Sequence, residues 1–228
     1  MNFEDNLTYL LPIIKEDYIV IIANGAYPKN KIIQKVILNA KFKICCDGAI
    51  KKLMRYNILP NWIIGDLDSI NKKYKDKFYN KLIYVPDQNT NDLTKAFNFI
   101  KHHKELNNYN IIIVGATGLR EDHSIANISL LNNYQKDYNH NIIILSDYGI
   151  IRSIINNIKI NTLIGQQISF FALNSNTRIT CKKLKWPLDN YQLSNLHNGT
   201  LNQVISSEIK IKCTNTTIIN QTFIIKNS

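Results

Sequence analysis

The sequence predicts an α/β N-terminal domain with a mostly parallel sheet, followed by a small, sandwich-like all-β domain. Over the first two-thirds of the chain, short apolar runs alternate with helical patterns. These runs are apolar at nearly every position, which is typical of parallel strands covered on both faces. After about residue 148 the helical periodicity gives way to short β-rich runs. We therefore expect one domain over residues 1–148 and a second over residues 149–228.

The N-terminal part is predicted to alternate strands and helices. Residues 18–23 form a buried strand that ends at the turn signal Asn24-Gly25. Residues 92–103 carry apolar side chains at i, i+3, i+4 and i+7, which is the pattern of an amphipathic helix. The other predicted strands are 42–46, 62–64, 82–85, 110–114 and 141–145. The other predicted helices are 29–39, 49–56 and 122–134, the last with Ile125, Ile128 and Leu131 turned inward.

The C-terminal part is predicted to be antiparallel. Its β-rich runs are short and are separated by turn-forming Asn, Gly and Thr, which is typical of a small sandwich or barrel. The runs are 149–155, 158–163, 167–173, 178–184, 208–213 and 222–226.

Charge, cysteine content and apolar run length argue against a nucleic-acid-binding, zinc-binding, membrane-spanning or secreted protein. The net charge is +11, but the lysines are scattered and form no basic stripe with interleaved aromatic residues, so we predict no nucleic-acid partner. The four cysteines match no zinc spacing and are predicted to be buried thiols. No apolar run reaches the roughly 18 residues of a membrane span. The N-terminus also lacks a signal-peptide pattern, so we expect a cytoplasmic protein without a membrane partner.

Polar residues follow the predicted strands, and a parallel sheet binds its ligands beyond the carboxyl ends of its strands. The spacing of Asp66 and Asp68 can direct two carboxylates toward one ion, and Mg²⁺ prefers a few carboxylates with waters and phosphate oxygens. A polar turn with a helix cap is the alternative for this pair, and also for Asp47 and Asp92. The strand-end segments are Asn24-Gly25, Asp47-Gly48, Gly65–Ser69 and Gly115–Gly118.

The loop Gly115–Arg120 leads into a predicted helix, and such loops can present backbone N–H groups to phosphate. Arg120 either holds a phosphate oxygen or is a solvated surface charge. His123 and Asn127 share a helix face, and packing or capping explains His123 as well as catalysis does.

Taken in order, these segments resemble the thiamine pyrophosphokinase family. The resemblance covers nearly the whole chain, and the ordered set is far more specific than any one motif. The matching segments are Asn24-Gly25, Cys46–Ala49, Ile64–Ser69, Pro86–Ala96, Gly115–His123, Asn127 and Leu184–Leu188.

The resemblance implies a homodimeric, Mg²⁺-dependent enzyme that transfers a pyrophosphoryl group from ATP to thiamine and releases AMP. It implies catalytic and metal-binding roles for Asp66, Asp68 and Asp92. The residues implied to bind ATP or its phosphates are Asn24, Asp47, Gly48, Arg120, Asp122 and His123. The residues implied to bind thiamine are Gln88 and Asn202.

Two departures from the family pattern concern the thiamine pocket and the phosphate loop. Many members have Ser-Asn where this chain has Leu201-Asn202, and a glycine where it has Leu119. Two competing functions remain: a different Mg²⁺- and ATP-dependent small-molecule kinase that releases ADP, and a non-catalytic module that binds thiamine or a nucleotide. Product analysis separates the two kinases, and turnover separates either of them from a binding module.

Overall fold

The computed structural model describes residues 2–226, which divide into two units. The parallel-sheet unit comprises Glu16–Asn127 and His140–Asp147. The β-rich unit comprises the described residues up to Lys15, then Ile128–Asn139, and those from Tyr148 onward.

The strands of the parallel-sheet unit are ordered β4–β3–β2–β1–β5–β6, and every neighbouring pair is parallel. Their side chains are buried almost throughout β1 and β5, because both faces of this sheet are covered. The predicted mostly parallel sheet is therefore confirmed. The strands are β1 Tyr18–Ile22, β2 Phe42–Cys46, β3 Trp62–Gly65, β4 Leu82–Tyr84, β5 Asn110–Val114 and β6 Ile142–Ser146.

Asparagine caps begin several helices, because the side-chain oxygen accepts an otherwise unpaired backbone N–H of the first turn. Asn30, Asn71 and Asn91 cap α2, α4 and α5 in this way. The helices are α1 Phe3–Leu10, α2 Lys31–Asn39, α3 Ile50–Arg55, α4 Lys72–Lys77, α5 Asp92–His102 and α6 Glu121–Asp137. Short 3₁₀ turns occupy Pro12–Lys15, Asp47–Ala49 and Tyr79–Lys81.

Helix α6 corrects one prediction about its inward face. Ile125 was expected to point inward, but its side chain is 70% exposed. The buried stripe of α6 instead contains Asn127, Leu131 and Tyr134, which recur at i, i+4 and i+7. Ile125 precedes Asn127 by two residues and therefore lies on the opposite side of the helix. The apolar spacing alone did not distinguish these two faces.

The β-rich unit contains two antiparallel sheets, ordered β12–β9–β14–β7 and β11–β10–β13–β8. Their facing apolar side chains form one core, with Phe170, Ile179 and Ile219 fully buried, so the predicted sandwich is confirmed. The strands are β7 Gly149–Ile154, β8 Asn157–Asn161, β9 Gln166–Ala172, β10 Arg178–Cys181, β11 Leu188–Gln192, β12 Gly199–Gln203, β13 Glu208–Cys213 and β14 Thr217–Ile225.

The four cysteines are buried and free, as predicted. Among residues 2–226, no helix is both long enough and apolar enough to cross a bilayer.

Candidate active site

Three carboxylates from two neighbouring strand ends form a cluster. Asp47 follows β2, and Asp66 and Asp68 follow β3. One carboxylate oxygen from each can be chosen so that all three lie within 4.8 Å of one another. Asp47 is buried, Asp66 is half-buried and Asp68 is exposed, so the cluster reaches from the protein interior to solvent. The buried Oδ1 of Asp47 has no hydrogen-bond partner, so this atom is available to a cation.

The backbone around the cluster is strained at two non-glycine residues. Asp47 has a φ of 32° and Leu67 a φ of 63°, both in the left-handed region that side chains disfavour. Each such residue costs on the order of 1 kcal/mol, and strain of this kind concentrates at functional sites. Leu67 is buried, so its side chain anchors the turn between the two acids. The Asp68 amide donates to Asp66 Oδ1 at 3.3 Å.

Gly65 allows the acids of neighbouring strands to approach each other. A Cβ at this position would lie 2.8 Å from Cβ of Asp47 and 3.3 Å from Oδ1 of Asp92. Any larger residue would therefore push Asp47 and Asp92 away from the end of β3.

Asp92 lies beside the cluster but is not among the three clustered carboxylates. It begins α5, and its Oδ1 is 3.2 Å from Nζ of the buried Lys95. Burial raises the pKa of Asp92, and the hydrogen bond from Lys95 opposes that rise. Lys95 was not predicted as a site residue, although it lies one helical turn after Asp92 within the segment Pro86–Ala96 that resembles the family.

Gln88 contacts the acidic cluster from the loop before α5. Its Nε2 donates to Asp66 Oδ2 at 3.0 Å. This hydrogen bond, followed by the one from the Asp68 amide, lowers the pKa of Asp66. Gln88 was predicted to bind thiamine. In the structure it lies at the solvent-exposed edge of the carboxylate cluster.

A cavity of about 260 Å³ opens between the loop after β1, the loop after β5 and the start of α6. The two loops are held together by backbone hydrogen bonds from Gly25 N to Gly115 O at 2.6 Å and from Ala26 N to Thr117 O at 2.8 Å. A Cβ on Gly25 would lie 2.3 Å from Gly115 O, so only glycine permits this approach. The cavity is lined by Asn24, Gly25, Ala116, Thr117, Leu119, Arg120, His123, Ser124 and Asn127.

Gly48 lies between this cavity and the turn that carries Asp66 and Asp68. Asn24 lines the cavity, and its Nδ2 lies 2.9 Å from the position of a Cβ on Gly48. Cβ of Ser69, the last residue of the Gly65–Ser69 turn, lies 3.1 Å from the same point. Gly48 is therefore the one residue that lies between Asn24 in the cavity wall and Ser69 in the Gly65–Ser69 turn.

A second connection runs through two asparagines. Asn91 Nδ2 donates to Asn127 Oδ1 at 3.1 Å, and Asn127 Nδ2 donates to Ala116 O at 2.8 Å. Asn91 also caps α5, which begins with Asp92. The cap of the helix that presents Asp92 is thus linked through Asn127 to the loop that lines the cavity.

Arg120, Asp122 and His123 lie together at the start of α6. The Arg120 guanidinium donates to Asp122 from Nε at 3.1 Å and from Nη2 at 2.6 Å. This pair lowers the pKa of Asp122 to about 2, with help from the His123 amide. Arg120 and His123 line the cavity, whereas Asp122 holds Arg120 from outside that lining.

Asn202 lies on β12 of the β-rich unit, and its side chain is buried. Its Nδ2 donates to Trp186 O at 2.7 Å, and its Oδ1 accepts from the amides of Trp186 and Gln203. Asn202 thereby fixes the backbone of Trp186, whose indole is 57% exposed. Asn202 was predicted as a site residue, whereas Trp186 was not, although it lies within the matching segment Leu184–Leu188.

Two models of known protein families match consecutive parts of the chain. The catalytic domain of thiamin pyrophosphokinase matches residues 33–145, and its substrate-binding domain matches residues 149–220. The chain belongs to the thiamine pyrophosphokinase family. The predicted resemblance is confirmed, and so is the expectation of an enzyme family; the alternative small-molecule kinase is not favoured.

Named members of the thiamine pyrophosphokinase family are similar over much of the chain. Thiamin pyrophosphokinase 1 of Caenorhabditis elegans is 25% identical over 193 residues, covering 79% of each chain. Thiamine pyrophosphokinase 1 of Oryza sativa subsp. japonica is 29% identical over 185 residues, covering 68% of each.

Solved structures share the fold. Thiamin pyrophosphokinase from Candida albicans has a TM-score of 0.79 at 17% identity, covering 95% of this chain and 92% of its own. Yeast thiamin pyrophosphokinase has a TM-score of 0.74 at 19% identity, covering 98% of this chain and 90% of its own.

Proposed function

We propose that this protein transfers a pyrophosphoryl group from ATP to thiamine, giving thiamine diphosphate and AMP. The observation that carries the proposal is the cluster of Asp47, Asp66 and Asp68 beside a cavity bounded by the Gly115–Arg120 loop. This arrangement occurs in a chain of the thiamine pyrophosphokinase family. The relatives from C. elegans and rice carry that enzyme's name.

Mg²⁺ is the proposed cofactor because the clustered donors are hard carboxylate oxygens, which this ion prefers. Asp66 and Asp68 are two of the Mg²⁺ ligands predicted from the sequence. We add Asp47 as a further ligand because it clusters with them and its Oδ1 has no hydrogen-bond partner. Asp92, the third ligand inferred from sequence, stays at the metal–phosphate centre in this proposal and is oriented by Lys95. When bound, the ion neutralises negative charge on the phosphates of ATP.

The cavity is proposed to take the nucleotide and its phosphates. Its lining residues Asn24, Arg120 and His123 offer an amide, a guanidinium and an imidazole for polar contacts. Asp122 is assigned to orienting Arg120 through their two-point ion pair. Gly48 and Asp47 connect this cavity to the carboxylates, so a triphosphate that extends from it approaches the acidic cluster.

The proposed chemistry is an in-line displacement at the β-phosphorus of ATP. The hydroxyethyl oxygen of thiamine forms a bond to this phosphorus, while the bond to the oxygen bridging the α- and β-phosphorus breaks and AMP leaves. A carboxylate of the site, Asp92 or Asp68, accepts the hydroxyl proton. The protein's contribution is mostly alignment and charge neutralisation.

Thiamine is cationic, so carboxylates and aromatic faces favour its binding. Gln88 and Asn202 are the assigned contacts. The hydrogen bonds of Asn202 support an indirect role in which it positions Trp186, whose exposed indole offers an aromatic face. Leu201, where many members have serine, is 65% exposed and replaces a hydroxyl with an apolar side chain.

The two domains are assigned separate tasks. Residues 1–148 would bind ATP and Mg²⁺, and residues 149–228 would contribute to thiamine binding and to dimerisation. The resemblance to the family supports the homodimer, which sedimentation or light scattering of the purified protein measures directly.

Incubation of the purified protein with thiamine, ATP and Mg²⁺, followed by separation of the products, tests the function. We expect equimolar thiamine diphosphate and AMP, and no product after Mg²⁺ is chelated. Asp68→Asn should abolish turnover without unfolding the protein. ADP and thiamine monophosphate as products would favour the alternative kinase, and tight binding without turnover would favour a binding module.

A further inference from the structure

Lys52 on α3 reaches the loop that forms one wall of the cavity. Its Nζ donates to the backbone oxygens of Asn24 and Gly25, and to Oδ1 of the Asn24 side chain at 3.0 Å. A lysine ammonium has three N–H groups, so each of them is used by this loop. Lys52 is half-buried, and the contacts join residues 28 and 27 positions apart in the chain.

These contacts leave the Asn24-Gly25 loop restrained from two sides. Its amide side is bonded to the opposite wall of the cavity, through Gly25 N to Gly115 O and Ala26 N to Thr117 O. Its carbonyl side is bonded to the ammonium of Lys52. Gly48 leaves room for the Asn24 amide, whose Nδ2 lies 2.9 Å from the position that a Cβ on Gly48 would occupy.

The electrostatic consequence concerns anions. Asn24 and Gly25 line a cavity assigned to a nucleotide, and the three oxygens of these residues that accept from Lys52 carry partial negative charge. A positive ammonium bonded to all three offsets that charge and holds the side-chain amide of Asn24 against the backbone of its own loop. Without it, the partial negative charge of these three oxygens would be unopposed and would weaken the binding of a phosphate.

We propose that Lys52 is a positioning residue for nucleotide binding, acting through the Asn24-Gly25 wall and not by contact with the phosphates. This inference rests on the proposed function, since it assumes that the cavity takes ATP. It assigns no role to Lys52 in thiamine binding or in the chemical step, because none of its three hydrogen bonds goes to the acidic cluster.

The test is a series at position 52 with decreasing donor capacity. Lys52→Arg keeps the charge and several N–H groups, Lys52→Gln keeps two N–H groups without charge, and Lys52→Met keeps neither. We expect the Kd for a non-hydrolysable ATP analogue to rise in that order, reaching about tenfold for Lys52→Met. The KM for ATP should follow, with kcat and the KM for thiamine within about threefold of wild type.

Lys51→Met is the matched control, because Lys51 is exposed and lies next to Lys52 on the same helix. It removes the same charge and should leave the Kd for the analogue unchanged. Calorimetry of Lys52→Met that gives the wild-type Kd overturns the inference, while product formation by the wild type leaves the proposed function standing. A Lys52→Met variant that does not fold leaves Lys52→Gln to decide. If the wild type itself binds no nucleotide, both the proposed function and the inference fail.

Discussion

Asp47 differs from the other acids of the candidate site because its carboxylate is buried and Oδ1 has no hydrogen-bond donor. A buried carboxylate in this situation is destabilising unless a cation balances it. Its φ of 32° adds backbone strain, since the left-handed region disfavours side chains other than glycine. We interpret this cost as the consequence of presenting an oxygen atom to a metal ion.

Replacing Asp47 tests that interpretation. Asp47→Asn removes the negative charge while keeping the shape, so we expect Mg²⁺ affinity to fall at least tenfold and turnover at least about 100-fold. Without Mg²⁺ the free energy of unfolding should stay constant or rise by about 1 kcal/mol, because the desolvation penalty of a buried amide is smaller than that of a buried carboxylate. Titration calorimetry and urea unfolding measure the two quantities.

Asp76→Asn is the control, since Asp76 is an exposed acid on α4. It should change neither Mg²⁺ affinity nor stability. Wild-type Mg²⁺ affinity in Asp47→Asn would remove Asp47 from the metal site.

Helix α5 illustrates how a single element serves both halves of the site. Asn91 caps the helix through Oδ1, which accepts from the amide and the hydroxyl of Thr94 at 2.9 and 2.8 Å. Its Nδ2 holds Asn127, which in turn holds Ala116 in the cavity wall. The same helix carries Asp92 and Lys95 at its start. A change at the cap should therefore affect stability and nucleotide binding together.

Asn91→Ala and Asn71→Ala separate these two effects. Both remove an N-cap, because Asn71 caps α4 by accepting from Tyr74 N at 3.0 Å. We expect each to lower the free energy of unfolding by about 1 kcal/mol. Only Asn91→Ala should raise the KM for ATP, by about three- to tenfold, because only Asn91 is bonded to Asn127. Equal KM values for ATP in the two variants would contradict the link.

At the scale of the whole molecule, the ionisation of buried thiol and phenol groups lowers the free energy of unfolding at high pH. Burial raises the pKa of Cys181 from 9.0 to about 11 and that of Tyr18 from 10.0 to about 12. The folded protein therefore holds these protons more tightly than the unfolded chain does. Their contribution to stability is complete below the pKa values of the unfolded chain and is lost as the pH rises through the folded values.

We expect the free energy of unfolding to fall between pH 9 and 12, by about 2–3 kcal/mol for each of the two groups over its full window. Urea unfolding at several alkaline pH values measures this slope. Cys181→Ala should be less stable at neutral pH because it leaves a cavity, but its stability should fall less steeply between pH 9 and 11. A slope unchanged by the substitution would show that Cys181 ionises equally well in the folded protein.

The sequence by itself determined the parallel sheet, the change to a β-rich part and the convergence of polar residues at strand ends. These features depend on local patterns: apolar runs mark buried strands, and polar residues directly after them must lie at one edge of a parallel sheet. The ordered motifs also determined the family. Strands β11 and β12 were missed because their sequences, LDNYQ and GTLNQ, lack apolar alternation.

Only the tertiary structure decided which side chains meet. The grouping of Asp47 with Asp66 and Asp68, the ion pair of Asp92 with Lys95, and the hydrogen bonds of Asn202 to Trp186 were not available from the pattern. The outward position of Ile125 was also decided there. The physical reason is that periodicity reports which face of an element is buried, whereas partners in a site come from separate elements whose spacing the packing of the sheet and helices sets.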